Sequence, residues 1–128
     1  MKSRYAIFFT IFALAIPAPG IAEEANCVAA ALSLTNGTVG FALGVDEDAV
    51  KAKAMAECRT SGAADCQIGF SGKNICISLA RATSRNRLGL GAGTSRAQSQ
   101  KGAMDECAKH GAEGCNIHDT YCAPGSIL

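Results

Sequence analysis

CRTSGAADC, residues 58–66, and CAKHGAEGC, residues 107–115, share one internal spacing and lie 49 residues apart. The same offset carries Cys27 onto Cys76, and residues 27–73 align with 76–122 without a gap, giving 12 identities in 47 positions. Composition alone would supply roughly four. The chain therefore reads as two copies of one supersecondary unit. The shared positions include Gly40/Gly89, Gly44/Gly93 and Gly62/Gly111. Ala54/Ala103, Met55/Met104 and Glu57/Glu106 also match.

Within the first copy, residues 28–34 and 38–43 are short apolar runs flanking Thr35-Asn36-Gly37, and Asn-Gly predicts a two-residue type I′ hairpin. Asn36-Gly37-Thr38 also has the form of a glycosylation sequon, but the turn accounts for it. Asp46 predicts the N-cap of a helix over about residues 46–58, whose first turn carries Glu47 and Asp48 against the positive end of the helix. Ala49, Ala52, Met55 and Ala56 leave a smooth helix face that can approach a sheet closely. Gly62 then permits a left-handed stop, and residues 66–70 return as a strand. The second copy repeats the order, with strands near 76–82 and 87–92, a helix opened by Ser95 and Gln98 in a capping-box pattern, and a strand over 115–121. The expected fold is α+β: two pseudo-symmetric ββαβ repeats forming antiparallel sheet with two packed helices, stapled by disulfides.

Outside the repeats, Lys2 and Arg4 precede an apolar run from Ala6 to Ile16 and a break at Pro17 and Pro19. Residues 1–22 read as a signal peptide cleaved near Ala22, because the apolar run is too short to span a bilayer. Glu24-Ala25-Asn26 before Cys27 does not fit a lipoprotein box, so no membrane anchor is expected after cleavage. Residues 23–26 form a linker, 27–122 a single domain of two repeats, and 123–128 a tail with turn chemistry and no periodicity. Export places the protein in the periplasm or outside the cell. Residues 23–128 carry 10 Lys and Arg against 11 Asp and Glu, so nothing points to nucleic acid.

Seven cysteines in an exported chain with no tryptophan and an alanine-rich core imply disulfides. Repeat logic pairs Cys58 with Cys66 and Cys107 with Cys115. Antiparallel pairing of a unit's first and last strands brings Cys76 beside Cys122. The position related to Cys122 in the first copy is Lys73, which leaves Cys27 as the free-thiol candidate.

This arrangement resembles the small secreted bacterial proteins grouped as domain of unknown function 4189. The resemblance rests on Gly40 and Gly44 followed by an alanine-rich helix into Cys58 and Cys66, then Asn74-Ile75-Cys76, a second Gly-rich strand, Cys107, Cys115 and a closing Cys122. A tryptophan common near the family's first strand is absent, and Cys27 stands there instead. The resemblance implies a repeat fold and export, and no general activity.

Three constellations bear on chemistry. Cys107, His110, Cys115 and His118 have the residue types of a tetrahedral zinc site. The first copy keeps the cysteine spacing with Ser61 and Gly69 in place of the histidines, so a disulfide is expected and no metal. The run 89–95 superficially resembles a phosphate loop, yet no lysine precedes Thr94, and its glycines are expected to admit a close helix. Cys27 with His118 and Asp119 lists the types of a thiol enzyme without showing that they meet.

A charge asymmetry remains. Arg81, Arg85, Arg87 and Arg96 fall in a stretch without acids, whereas the related stretch 32–47 has no base. Arg96 sits at a helix start, where a cation does not help the helix. These arginines are the candidate surface for an acidic partner. The expected function is that of an exported, non-enzymatic protein-interaction module, with no catalytic residues and no cofactor, whose partner is another exported or cell-envelope protein. An inhibitor or immunity-type protein blocking a secreted enzyme is the first alternative, and a small thiol-dependent enzyme the second.

Overall fold

A computed structural model describes residues 24–83, 87–109 and 111–125. The expected signal peptide lies outside these residues, as do Arg85 and His110. The elements run β1 (Cys27–Ser33), β2 (Thr38–Gly44), α1 (Glu47–Thr60), β3 (Gln67–Lys73), β4 (Cys76–Arg81), β5 (Leu88–Gly93), α2 (Arg96–Lys109) and β6 (Asn116–Cys122). Each repeat is thus strand, strand, helix, strand, and each makes its own antiparallel three-stranded sheet, ordered β2-β1-β3 and β5-β4-β6.

Strand parity decides how the layers stack. In β1, Val28 and Ala30 face the opposite sheet with Leu32 beside them, whereas Cys27, Ala29 and Ala31 face α1. The 49-residue offset is odd, so in β4 the inward side falls to Ile77 and Leu79 and the helix side to Ser78 and Ala80. The two sheets therefore bury a common core between them, formed by Val28, Ala30, Phe41, Leu43, Ile77, Leu79 and Leu90. Each helix covers the outer face of its own sheet, through Val50, Ala54 and Cys58 of α1 and Ser99, Ala103 and Cys107 of α2. These triplets repeat every four residues, the spacing of one helix face.

Small residues under the helices make that packing possible. A Cβ at Gly40 would lie 2.2 Å from the Ala54 carbonyl oxygen, and one at Gly89 would lie 2.3 Å from that of Ala103. Backbone rests on backbone there, and the glycine-rich run 89–93 serves this approach.

The caps follow the residue chemistry. Asp46 accepts from the Ala49 N–H at 3.0 Å, and Ser95 Oγ accepts from the Gln98 N–H at 3.2 Å. Gln98 reaches back to the Thr94 N–H, at 3.0 Å, one residue before the N-cap. The α1 end is followed by Gly62 at φ 89°, the left-handed stop.

Four expectations are modified. The face of α1 laid on the sheet is that of Val50, Ala54 and Cys58, whereas Ala49, Ala52 and Ala56 are exposed. The first hairpin is not a two-residue type I′ turn: pairing ends at Ser33 and Thr38, the Gly37 N–H donates to the Ser33 carbonyl at 2.8 Å, and only Gly37 has a positive φ, of 67°. A four-residue loop results. Residues 23–26 are not merely a linker, since Ala25 is fully buried and pairs with Gly125 in an isolated antiparallel bridge. The segment after Cys122 is likewise not only a tail, because Ala123 lies in the inter-sheet core and donates its N–H to the Ile75 carbonyl at 2.9 Å.

Candidate functional site

The three disulfides join Cys58 to Cys66, Cys107 to Cys115 and Cys76 to Cys122. The first two have a Cα separation of 6.2 Å and tie the end of each helix to the start of the strand that follows it. The third links directly opposed residues of β4 and β6, with Cα atoms 4.0 Å apart. Cys27 is free and fully buried. It occupies the related place in the first sheet, opposite Lys73, and its thiol faces the Asn26 Oδ1 at 3.5 Å and the Val45 carbonyl at 3.7 Å.

These positions dismantle the catalytic and metal constellations. Cys107 and Cys115 are bonded to each other and have no thiolate for a metal. Cys27 is held under α1 in the first sheet, whereas His118 and Asp119 lie on the edge strand β6 of the second and bond each other, Nδ1 to Oδ2, at 3.0 Å. Buried hydroxyls do occur. Ser78 Oγ lies 2.7 Å from Ser99 Oγ and 2.9 Å from Thr120 Oγ1, and Ser99 donates to the Arg96 carbonyl at 3.0 Å. The partners of this chain are hydroxyls, a carbonyl and the Gln100 amide, with no general base among them.

The arginine surface also comes apart. Arg81 is partly buried and donates to the Gly37 carbonyl at 2.8 Å, bracing the first repeat's turn from the second repeat. Arg87 is exposed just before β5, and Arg96 is exposed at the start of α2 beyond the other end of that strand. Six residues of strand separate them, roughly 20 Å at the usual rise per residue. Arg81 and Arg87 lie at one end of the sheet, where Arg81 pairs with Leu88, and Arg96 lies beyond the other end of β5, so the three do not form one face.

A different feature survives as a site. The sheets stack so that β2 lies across from β6 and β3 across from β5. At the β2/β6 edge the layer is closed by rings, with Phe41 and Tyr121 centroids 4.6 Å apart. The pseudo-symmetric counterparts of Phe41 and Tyr121 are Leu90 and Gly72, so no ring pair closes the β3/β5 edge. Ile75 lies over Gly72, and toward the β1–β2 turn the edge opens as a groove of about 390 Å³. Leu32, Leu34, Gly69, Phe70, Leu88 and Leu90 line it, and among the described residues Glu106 of α2 adds a charge to the lining. Leu34 is 65 % exposed and Phe70 38 %, so large apolar surface faces water at the groove's mouth.

Local sequence explains the opening. In β3 the partners step from Ala30↔Phe70 to Ala31↔Ile68, leaving Gly69 as an extra residue, and β6 has the same irregularity at His118. A bulge with no side chain leaves the groove floor bare, for a Cβ at Gly69 would come within 2.8 Å of both Leu32 Cδ2 and Leu90 Cδ1. Leu34 is positioned by a polar latch: Asp65 accepts from Ser33 Oγ and Thr35 Oγ1 on either side of it. These two hydroxyl bonds hold the Asp65 carboxyl below its ordinary pKa. At the closed edge, burial pushes the Tyr121 phenol up, with the nearby Asp119 and Glu57 adding to the shift.

The groove is not among the sequence candidates, since Leu32, Leu88 and Leu90 fall in predicted strands and carry no motif. The available signal was the comparison of the two copies: an aromatic pair in one faces leucine and glycine in the other.

Fold and site together define a disulfide-stapled α+β protein of twin ββαβ repeats with an apolar groove on one edge. The family model described as "Domain of unknown function (DUF4189)" matches residues 26–122, and the chain belongs to that family. No curated protein and no solved structure matches the chain.

Proposed function

We propose that the protein is an exported, non-enzymatic binding module that engages another exported or cell-envelope protein through the β3/β5 groove. The observation that carries this reading is the groove itself, an apolar opening of about 390 Å³ with Leu34 and Phe70 exposed at its mouth. A concave apolar lining with few polar groups is the ordinary form of a binding site. Export is supported by the basic start and short apolar run of residues 1–22, and three disulfides fit an oxidising compartment. Among the described residues no helix is long and apolar enough to cross a membrane.

The test is stoichiometric capture of a partner from the native exported fraction by the disulfide-bonded protein and by two variants. Phe70→Asp puts a charge in the groove mouth, and Arg96→Glu reverses a charge on the arginine surface. Loss of the captured species with Phe70→Asp alone is the expected result. Loss with Arg96→Glu alone would return the site to the arginines, and capture unchanged by both would end the groove reading. If the captured species is an enzyme whose turnover falls in proportion to the added protein, the module acts as an inhibitor.

A further inference from the structure

Sheet pairing, helix docking and disulfide closure all take place within one repeat. Each sheet is drawn from a single repeat, β2-β1-β3 from residues 27–73 and β5-β4-β6 from residues 76–122, and each disulfide closes inside one of those ranges. What holds the repeats together is the apolar core between the sheets, with the Phe41–Tyr121 ring pair, the Arg81 bond to Gly37 and the Ala25–Gly125 bridge. A second copy of the chain presents the same surfaces, so the first repeat of one copy fits the second repeat of another as it fits its own. The connection between repeats is two residues long, Asn74 and Ile75. The Asn74 N–H donates to the Asn26 carbonyl before β1, and the Ile75 carbonyl accepts from the Ala123 N–H after β6, each at 2.9 Å. The first bond belongs to one half and the second to the other, so the backbone rotations lying between them can change with both bonds kept. One of those rotations is already left-handed, with Asn74 at φ 54°, a region asparagine enters far more readily than β-branched residues do. A short connection in a left-handed conformation invites exchange, because opening it releases that conformation while the other contacts re-form between chains.

We infer that the protein forms a dimer by exchanging repeats, the first repeat of each copy packing on the second repeat of the other, with Asn74 and Ile75 extended as the hinge. In that dimer each β3/β5 groove is built by two chains, with Leu32, Leu34, Gly69 and Phe70 from one copy and Leu88, Leu90 and Glu106 from the other. The particle then carries two grooves. The exchange itself does not depend on what the groove binds.

The test begins with the disulfide-bonded protein, unfolded in guanidinium chloride with its bridges intact and refolded by dialysis at high and at low protein concentration. Light scattering on a sizing column should show a dimer after concentrated refolding and a monomer after dilute refolding. Asn74→Gly, which accepts the left-handed turn freely, should lower the dimer share, and Asn74→Val, which resists it, should raise it. The left-handed penalty on a side chain with a Cβ is about tenfold relative to glycine, so with two hinges per dimer the two dimerisation constants should lie about a hundredfold apart. How the copies meet is read from the parent protein, by refolding isotopically labelled and unlabelled chains together. The Phe41 and Tyr121 rings, with centroids 4.6 Å apart, should then give nuclear Overhauser effects between labelled and unlabelled chains. A dimer whose ring contact stays within each chain is a surface dimer and would overturn the exchange. So would a protein that remains monomeric at every refolding concentration, as parent and as Asn74→Val. Equal dimer shares for the two Asn74 variants would remove the hinge from this junction and overturn the inference as well.

Discussion

Lys73 stands directly across from Cys27, as Cys122 stands across from Cys76. In the second repeat that register supports a bridge with a Cα separation of 4.0 Å, so the first repeat is one substitution away from its own. Lys73→Cys should therefore form a fourth disulfide with Cys27. Non-reducing peptide mapping should find it, thiol titration of the unfolded protein should fall to none, and stability should rise by at most about 4 kcal/mol on the loop-entropy model. A variant with two free thiols would show that the two first strands differ in twist despite their shared pairing. Asp65 is a second residue whose effect can be isolated. Its folded pKa is depressed below the ordinary 3.8 by the Ser33 and Thr35 hydroxyls, so its stabilisation is complete above that value and lost as pH falls through the folded pKa. Asp65→Asn should remove that part of the acid dependence. Urea midpoints compared at about pH 6 and about pH 3 should converge between variant and parent at the lower value. An equal gap at both would mean that the latch acts without its charge. This latch also explains why the first turn departs from the expected type I′ hairpin. Asn36-Gly37 is a local signal, whereas the four-residue loop is held by a carboxylate about thirty residues away in the chain, which no local pattern announces.

At the scale of elements, the helices are held by what the strands beneath them lack. Replacing Gly89 by alanine would put a Cβ 2.3 Å from the Ala103 carbonyl oxygen and 2.4 Å from the Cys107 nitrogen. Both neighbours are backbone, so α2 must lift from β5. A cost of about 1–3 kcal/mol is expected from such overpacking, and the same direction holds for Gly40→Ala under α1. Gly62→Ala is the contrasting case. Nothing lies within 4 Å of its added Cβ, so only the left-handed conformation is penalised, at about 1 kcal/mol. Thermal melts of the three variants separate the two mechanisms, and a Gly89→Ala melt as mild as that of Gly62→Ala would argue that the helix has slack. Much at this scale was legible: glycines and cysteines recur at one offset because they mark where helix meets strand in both copies. Less legible was Arg81, which ends a strand and looks like a surface charge until the opposite repeat supplies its acceptor.

For the whole molecule, the two sheets met face to face through parity that the sequence displays, but the openness of one edge depends on which side chains the stacking brings together. Leu32 and Leu90 come from different repeats, and neither sequence neighbourhood contains the groove. The disulfides add a further asymmetry. One closes within 27–73 and two within 76–122, and none connects the halves. The repeats are joined covalently only through Asn74 and Ile75 between β3 and β4, where Asn74 has φ 54° and donates its N–H to Asn26 at 2.9 Å. Everything else between them is shared core, together with contacts such as that of Arg81 on Gly37. A protease nick at Asn74 should accordingly leave a noncovalent heterodimer under oxidising conditions, its fragments separating in denaturant and recombining when it is removed. The protein is built as a split pair, and either half fused to a bait could report the proximity of the other.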